Sequence, residues 1–173
     1  MERIQSLDAN QLLAHLGGFA DLLVDAVRDG ASVGFLAPLA ESDARTYWES
    51  VAAALRGGTR RLLALMDRGA VIGSVQLDLP QMPNARHRAE IAKLLVNTGA
   101  RRRGVGRSLM EAAEALARTL GRPLLVLDTR RGDAAEQLYR SLGYHMAGVI
   151  PRYARSSSGT LDDTVYFYKE LAG

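Results

Sequence analysis

KLLVNTGARRRGVGRS, residues 93–108, joins an apolar strand to a helix through a polar turn, three consecutive arginines and two glycines. The apolar residues that indicate the helix recur at steps of four, three and four, and they are Leu109, Ala113, Leu116 and Leu120. Gly104 and Gly106 have no Cβ, so the backbone at the start of this helix can approach a ligand closely.

The first turn of this helix is suited to bind a pyrophosphate. The N–H groups of a first helical turn have no acceptor within the helix, and they favour an anion. Arginines beside that turn add bidentate contacts to phosphate oxygens. The candidate phosphate contacts are therefore Arg101, Arg102, Arg103, Gly104, Val105, Gly106, Arg107 and Ser108.

The spacing of residues 93–108 does not fit two common phosphate-binding motifs. A dinucleotide fingerprint requires a third glycine at the position of Leu109. A P-loop requires a glycine where Arg101 stands and a lysine where Arg107 stands. The remaining pattern is R-x-x-G-x-G, formed by Arg101, Gly104 and Gly106. A solvated basic turn is the alternative that this pattern alone leaves open.

The R-x-x-G-x-G pattern resembles the acetyl-CoA pyrophosphate loop of the GCN5-related N-acetyltransferases, the GNAT family. A second segment, AEQLYRSLGY at residues 135–144, resembles the family motif A-x-x-[LF]-Y-x-x-x-G-[FY]. The two segments flank an apolar strand, as they do in the family. Gly132 is a departure, because the family often has asparagine there, and it weakens one expected contact to the cofactor arm. The resemblance covers residues 60–172.

The order of elements predicts a single α/β domain over residues 1–173. The first half of the chain is expected to contain an edge strand (1–6), two helices (10–28 and 41–56), a hairpin (61–66 with 70–79) and a third strand (88–96). The second half is expected to contain a strand (124–127), a helix (133–142) and two strands (144–150 and 164–171) joined by a loop (151–163). The strand–helix–strand crossover implies helices on both faces. The resemblance adds a GNAT-type mixed, mostly antiparallel sheet with a parallel strand pair splayed at the cofactor cleft.

Composition and charge exclude several functions. The 173 residues are 47% hydrophobic and 24% charged, which is ordinary for one globular domain. The formal charge of +3 requires no nucleic-acid partner. Without cysteine there is no disulfide, thiolate metal site or covalent acyl-cysteine. The three histidines, His15, His87 and His145, lack the helical spacing of a metal site, so no metal is expected.

The location expected from the sequence is the cytoplasm. Residues 1–10 contain no apolar run of the signal-peptide type, and no segment approaches the length of a transmembrane helix. We therefore expect no membrane partner. The sequence leaves open whether the protein is a monomer or a homodimer.

The resemblance implies transfer of an acetyl group from acetyl-CoA to the amine of a small molecule. In the family, the strand before the phosphate loop contacts the pantetheine arm and the thioester, and Leu95 and Val96 occupy the matching positions. Their amides are candidate donors to the oxyanion. The second motif adds Ala135, Leu138 and Tyr139 as candidate cofactor contacts. Because the chain has no cysteine, the expected reaction is direct attack in a ternary complex.

The whole chain also resembles one branch of the family, the tabtoxin-resistance acetyltransferases. The likeness is carried by residues 30–35, 88–90, 93–94 and 125–129. It implies N-acetylation of a small, amino-acid-like β-lactam toxin. Branches of one family differ in substrate more readily than in cofactor, so this acceptor follows from the branch likeness alone.

Three side chains are candidates for the proton transfers. Glu90 is the first candidate base; it lies four residues before Leu94, and two-residue alternation places both on one face of the strand. Its alternative role is an exposed carboxylate or an ion pair with Arg88. Asp128 is the second candidate base, or it holds a substrate ammonium or caps a turn. Tyr139 is the candidate general acid, and a core tyrosine is its alternative role.

Two other functions remain open from the sequence. A GNAT-shaped domain can bind CoA as a sensor or interaction module without catalysis. The arginine run at 101–103 is compatible with weak RNA binding, but no aromatic residues interleave with it to stack bases. The presence of Glu90, Asp128 and Tyr139 favours the enzyme.

Overall fold

A computed structural model describes residues 3–172 of the chain. Its strands are β1 (Arg3–Leu7), β2 (Arg60–Asp67), β3 (Ala70–Asp78), β4 (Arg88–Val96), β5 (Leu124–Arg130), β6 (His145–Arg155) and β7 (Leu161–Glu170). Its helices are α1 (Ala9–Ala14), α2 (Leu16–Arg28), α3 (Glu41–Arg56), α4 (Val105–Thr119) and α5 (Ala134–Ser141). Met1, Glu2 and Gly173, which the predicted domain includes, lie outside the described residues.

The strands of the described chain form one sheet, in the order β1-β2-β3-β4-β5-β7-β6. Neighbouring strands run antiparallel except for β4 and β5, which are parallel. A parallel pair needs a crossover, and α4 provides it by returning the chain to the end of the sheet where β4 begins. The predicted fold class, a mixed and mostly antiparallel sheet with helices on both faces, is confirmed.

Two apolar clusters, one on each face of the sheet, hold the helices in place. On one face, called here the α4 face, α4 and α5 contribute Leu109, Met110 and Tyr139. On the other, the α2 face, the helices α1 to α3 contribute residues that include Phe19 and Trp48. The rings of Phe19 and Trp48 lie 4.8 Å apart and are fully buried. Burial of one such large side chain stabilises the fold by about 2 kcal/mol.

The helix predicted at 10–28 is divided into two. His15 has a non-helical backbone, with φ of −113° and ψ of 19°, and α2 begins after it. Gly18 in α2 packs closely on β3, because a Cβ there would lie 3.1 Å from the Val71 side chain. Apolar periodicity continues across this break, which is why the sequence indicated a single helix.

The final hairpin is longer than predicted. The loop expected at 151–163 is mostly strand, and the turn is confined to residues 156–160. The register of β6 is irregular between Ile150 and Ala154, and this bulge accommodates Pro151, which has no N–H for a ladder. β6 is an edge strand, where proline is tolerated.

A β-bulge interrupts β4. Lys93 and Leu94 together stand opposite the single residue Val75 of β3. Lys93 adopts a φ of 49°, in the left-handed region. The extra residue reverses the side-chain alternation, so that Ile91 packs on the α4 face and Leu95 packs on the α2 face.

This bulge makes one sequence prediction wrong. Two-residue alternation predicts that Glu90 and Leu94 share a face of the strand. Glu90 is the neighbour of Ile91 and points to the α2 face, whereas Leu94 packs against the α4-face cluster. One additional residue between two positions moves one of them to the opposite side of a sheet.

β4 and β5 pair over only part of their lengths. The paired residues run from Arg88 with Leu124 to Glu90 with Val126, although both strands continue for several residues. The strands therefore part beyond Glu90 and leave a gap between them. This confirms the splayed parallel pair.

One amide of β4 faces this gap. The Asn97 N–H donates to the Ile72 oxygen on β3 at 2.9 Å. The N–H groups of an antiparallel strand alternate in direction, so the Leu95 N–H also points to β3. The N–H of Val96, between them, points into the gap.

We expect Gly73→Ala to destabilise the protein. A Cβ at Gly73 would lie 2.8 Å from the Leu95 carbonyl oxygen and 3.1 Å from the Leu109 side chain, and backbone must move to relieve the first contact. Such overpacking lowers the free energy of unfolding by about 1–3 kcal/mol, which urea denaturation measures. Gly148→Ala is the control, because a Cβ at that position meets no atom within 4 Å. Equal stability of the two variants would contradict the described β3–β4 packing.

Candidate active site

The first turn of α4 is open at the end of β4. Gly104 is the N-cap, with φ of 82°, and it provides no side-chain hydrogen bond. The helical ladder starts where the Ser108 N–H donates to the Gly104 oxygen at 3.0 Å. The N–H groups of Val105, Gly106 and Arg107 precede that bond, so they are available to an anion.

Two aspartates of α2 and its C-cap hold the loop that leads into α4. Asp25 accepts hydrogen bonds from the Thr98 N–H at 2.8 Å and from the Thr98 hydroxyl at 2.9 Å. Asp29 forms an ion pair with Arg101. These contacts join residues 73 and 72 positions apart in the chain, so no local sequence signal indicated them.

The predicted phosphate-binding arginines differ in their contacts. Arg101 is engaged by Asp29, and Arg107 donates to the Ser141 hydroxyl at 2.8 Å. Arg102 and Arg103 are exposed at the turn before α4. Within residues 3–172, the Arg102 side chain has no hydrogen bond or ion pair, which leaves its guanidinium available to a ligand.

α5 forms the second wall of the site and packs directly on α4. A Cβ at Gly106 would lie 3.3 Å from the Leu138 side chain and 3.8 Å from Val96, so glycine permits α5, α4 and the end of β4 to meet. Ala135, one turn earlier on α5, lines the cleft below. Leu138 therefore stands near the end of β4 and Ala135 at the cleft, and their contacts to the cofactor stay a prediction.

Tyr139 reaches this cleft from the α4-face core. Its ring is buried and lies 5.9 Å from Tyr144 and 6.2 Å from Phe167. Burial raises the pKa of the Tyr139 phenol above its ordinary value, and Asp128 and Asp133 raise it further. In the described chain its hydroxyl makes no hydrogen bond, although the residue lines the cleft. The Tyr139 ring is thus part of the core, and its hydroxyl is available to donate a hydrogen bond to a ligand in the cleft.

A cleft of about 410 Å³ joins the candidate catalytic residues. Glu90, Asp128 and Tyr139 all line it, together with residues 31–34 and Tyr153. A larger cavity of about 730 Å³ lies beside β1 and the end of α3, and none of the predicted site residues lines it. The fold thus brings the three sequence-predicted catalytic residues together at one place.

Glu90 lies among carboxylates on the α2 face. It pairs with Asp78 across β3 and β4, and Asp128 lies two residues beyond its partner on β5. Burial raises the pKa of Glu90 above its ordinary value, and repulsion from Asp78 and Asp128 adds to the increase. Arg88 and Lys93 lower that pKa, but neither forms an ion pair with Glu90 among the described residues. A carboxylate tuned in this direction is suited to act as a base.

Asp128 is exposed to the cleft. Its carboxylate accepts a hydrogen bond from the Thr164 hydroxyl, on the neighbouring strand, at 3.0 Å. The remaining acceptor sites of the carboxylate are open. Asp128 is thus placed to attract an ammonium group next to Glu90.

The residues that surround Glu90 on the α2 face were not predicted from the sequence. Asp78 forms an ion pair with Arg60, which also donates to the Gln76 oxygen at 2.9 Å. The Tyr47 hydroxyl donates to the same Gln76 oxygen at 3.2 Å. Lys93, on the bulge, lines the cleft. Only its residue type offered a signal, because Lys93 is one of two lysines in a chain whose other strong bases are arginines.

Known proteins are similar in sequence to this chain. The model of the Acetyltransferase (GNAT) family matches residues 24–144. The chain is 33% identical over 132 residues to an uncharacterized N-acetyltransferase of the hisH-hisA intergenic region of Azospirillum brasilense, which is 75% of this chain and 74% of that protein. The chain therefore belongs to the GNAT acetyltransferase family.

Solved structures share its fold. An N-acetyltransferase from Staphylococcus aureus Mu50 superposes with a TM-score of 0.82 at 17% identity, over 99% of each chain. The yncA protein of Salmonella typhimurium, solved with acetyl-CoA, gives 0.79 at 20% identity, over 99% of this chain and 94% of that one. A ribosomal-protein-alanine N-acetyltransferase from Brucella melitensis gives 0.78 at 23% identity, over 98% and 99%. At these identities the likeness shows the fold.

Residues 3–172 contain neither a metal-binding cluster nor a membrane-spanning helix. No group of three or more His, Asp or Glu side chains there is arranged to hold a metal ion. No helix in the same range has both the length and the apolar character needed to cross a membrane.

We expect Glu90→Gln to stabilise the protein at neutral pH. The folded state holds the Glu90 proton more tightly than the unfolded state, because burial and Asp78 raise its pKa. Glu90 therefore costs stability once the pH rises above its folded pKa, and that cost is absent below its unfolded pKa. The melting temperature of Glu90→Gln should exceed that of the wild type at pH 7.5 and match it at acid pH near 4, below the reference pKa of about 4.3.

Glu49→Gln is the control for this comparison, because Glu49 is exposed on α3. Its melting temperature relative to the wild type should not depend on pH in the same way. A Glu90→Gln variant that is no more stable than the wild type at pH 7.5 would contradict the described surroundings of Glu90.

Proposed function

We propose that the protein transfers the acetyl group of acetyl-CoA to the amine of a small molecule, by direct attack while both substrates are bound. The observation that carries this proposal is the parting of β4 and β5 beyond Glu90. The open turn of α4 follows one end of the gap, and the cleft with Glu90 and Tyr139 adjoins it. Membership of the GNAT family and the acetyl-CoA bound to the yncA relative support it.

The residues at the gap fit acetyl-CoA. The amides of Val105, Gly106 and Arg107 would bind the pyrophosphate, and the exposed Arg102 and Arg103 would add charge. Ser108 lies within the same turn but its amide is already bonded to Gly104. Bound there, acetyl-CoA supplies an activated thioester, which the gap would direct toward the cleft.

Glu90 is the proposed base. A primary ammonium has a pKa of about 10, so the acceptor must lose a proton before it attacks. Glu90 accepts that proton directly or through a water molecule, and its raised pKa makes it a stronger base than an ordinary glutamate. Asp128 would hold the ammonium beside it.

Val96 and Tyr139 are the proposed groups that stabilise developing charge. The Val96 N–H points into the gap, where it would donate to the thioester oxygen; one such donor lowers a barrier by about 3 kcal/mol. Leu95 does not share this role, because its N–H points to β3. The Tyr139 hydroxyl would donate a hydrogen bond to the leaving thiolate. Burial raises the pKa of Tyr139, which favours this hydrogen bond over the proton transfer expected of a general acid. The thiolate would then take up the second proton, which the acceptor nitrogen loses as the amide forms.

The acceptor proposed from the branch likeness is an amino-acid-like amine of the tabtoxin type. The cleft is enclosed by residues 31–34 and by Tyr153, and its volume of about 410 Å³ suits a small molecule. The corresponding location is the cytoplasm. The common position of Glu90, Asp128 and Tyr139 in one cleft favours this enzyme over a CoA-binding module without catalysis.

We expect Gly104→Asp to weaken acetyl-CoA binding. The carboxylate would stand at the first turn of α4 and repel the pyrophosphate. At φ of 82° any side chain adds strain, so Gly104→Asn, of the same shape and without charge, is the control. By calorimetric titration, the Kd for CoA should be about tenfold higher for the aspartate variant than for the asparagine variant. Equal values in the two variants would show that the phosphates bind elsewhere.

We expect Tyr139→Phe to lower kcat by about 100-fold, because the leaving thiolate loses its hydrogen-bond donor. Thiol release from acetyl-CoA in the presence of a panel of small amines measures the reaction. KM for acetyl-CoA should change little. Tyr144→Phe is the matched control, since Tyr144 is also buried, with its ring 5.9 Å from that of Tyr139, but does not line the cleft. A fully active Tyr139→Phe variant would remove Tyr139 from the mechanism.

A further inference from the structure

Lys93 occupies a backbone position that does not favour lysine. Its φ of 49° lies in the left-handed region, which costs a residue with a Cβ about 1–2 kcal/mol. Glycine or asparagine would form the same bulge with less strain. The lysine is therefore not explained by the geometry of β4.

The Lys93 ammonium is partly buried in the cleft, and it has no direct counterion among the residues that the structure describes. Its Nζ lies 5.7 Å from the centre of the Tyr47 ring. Burial lowers the pKa of Lys93, and the nearby Arg60 lowers it further. Asp78, Asp128 and Glu90 oppose these effects at a distance, but no carboxylate within residues 3–172 forms an ion pair with it.

Gly34 leaves this ammonium accessible. It lies in the segment that covers the cleft, with φ of 87°. A Cβ at Gly34 would lie 3.7 Å from the Lys93 Nζ, in van der Waals contact. A larger residue would cover the charge, whereas glycine leaves one side of it open to the cleft.

Arg130 pairs with Asp133 and Asp162 at the edge of the cleft, but other opposite charges there do not neutralise each other by contact. Glu90 and Asp128 attract an ammonium at one position, and neither is in an ion pair among the described residues. Lys93 attracts an anion at another position. Partly buried charges are normally paired, because unpaired charges lose solvation without compensation. A ligand that carries both an ammonium and an anion would compensate both.

We propose that Lys93 binds an anionic group of the acetyl acceptor, so that the acceptor is an amine with a carboxylate, as in a free amino acid. The proposal rests on the acetyltransferase function proposed above. It adds a specificity-determining residue: Glu90 and Asp128 receive the amine that is acetylated, and Lys93 receives the carboxylate of the same molecule. An amine without a carboxylate leaves Lys93 unpaired and binds less well.

Pairs of acceptors that differ by the carboxylate alone test this proposal. They are L-methionine with 3-(methylthio)propylamine, L-lysine with cadaverine, and L-phenylalanine with phenethylamine. For at least one pair, the wild type should show a kcat/KM about tenfold higher for the amino acid than for the amine. In Lys93→Met, which has an unbranched apolar side chain, that ratio should fall about tenfold, mainly through KM. Lys93→Arg retains the charge and should retain most of the ratio.

Two results would overturn the role of Lys93. One is a wild type whose kcat/KM is no higher for the amino acid than for the amine in any pair. The other is a Lys93→Met variant that loses activity equally with both members of a pair, which would indicate a structural role for the lysine.

Failure of the acetyltransferase function itself gives a different result. If no acceptor causes thiol release, binding decides the role of Lys93 independently of turnover. The melting temperature of the CoA-bound wild type should then rise more with an amino acid than with its amine, and this difference should be absent in Lys93→Met. A wild type that shows no such difference with any pair contradicts the proposal.

Discussion

The extra residue in β4 is the constraint on which the site depends. Because Lys93 and Leu94 share one partner on β3, the strand reverses its alternation before it ends. Glu90 therefore faces the α2 side, and the Val96 amide faces the gap beside β5. Gly73 permits this geometry, since no Cβ fits against the Leu95 carbonyl.

The charges of the site are separated along its length. Amides and exposed arginines gather at the start of α4, whereas Asp78, Glu90 and Asp128 gather on the α2 face. Arg60 neutralises Asp78, which leaves Glu90 and Asp128 to attract a cation. Burial raises the pKa of Glu90, and repulsion from Asp78 and Asp128 adds to the increase, so the ionised Glu90 costs stability at neutral pH. Proteins commonly retain such a cost where function requires it.

Local sequence patterns predicted most of this fold. The features that depend on strand register or on contacts between distant residues were not predicted. Apolar periodicity predicted the helices apart from the break at His15, and the family resemblance predicted the mixed sheet and the splayed pair. No sequence signal indicated the bulge at Lys93, because a prediction from strand alternation assumes a regular repeat of two residues. No local sequence pattern indicated the ion pair between Asp29 and Arg101 either. The burial of the Tyr139 ring agrees with the predicted core role. Its hydroxyl makes no hydrogen bond within residues 3–172, so the general-acid role stays a prediction.

The two lysines of the chain, Lys93 and Lys169, differ in how their ammonium groups are paired. Lys169 donates to both oxygens of Glu114 and to the Leu142 carbonyl, so all three ammonium protons are used in a part-buried site. Within residues 3–172, Lys93 has no such set of acceptors.

Backbone amide NMR shifts, recorded on adding CoA and then acetyl-CoA, test most directly whether the gap beside β4 holds the thioester. CoA should shift the amides of residues 105–107, and acetyl-CoA should additionally shift Val96 but not Leu95. Shifts confined to other parts of the sheet would contradict it.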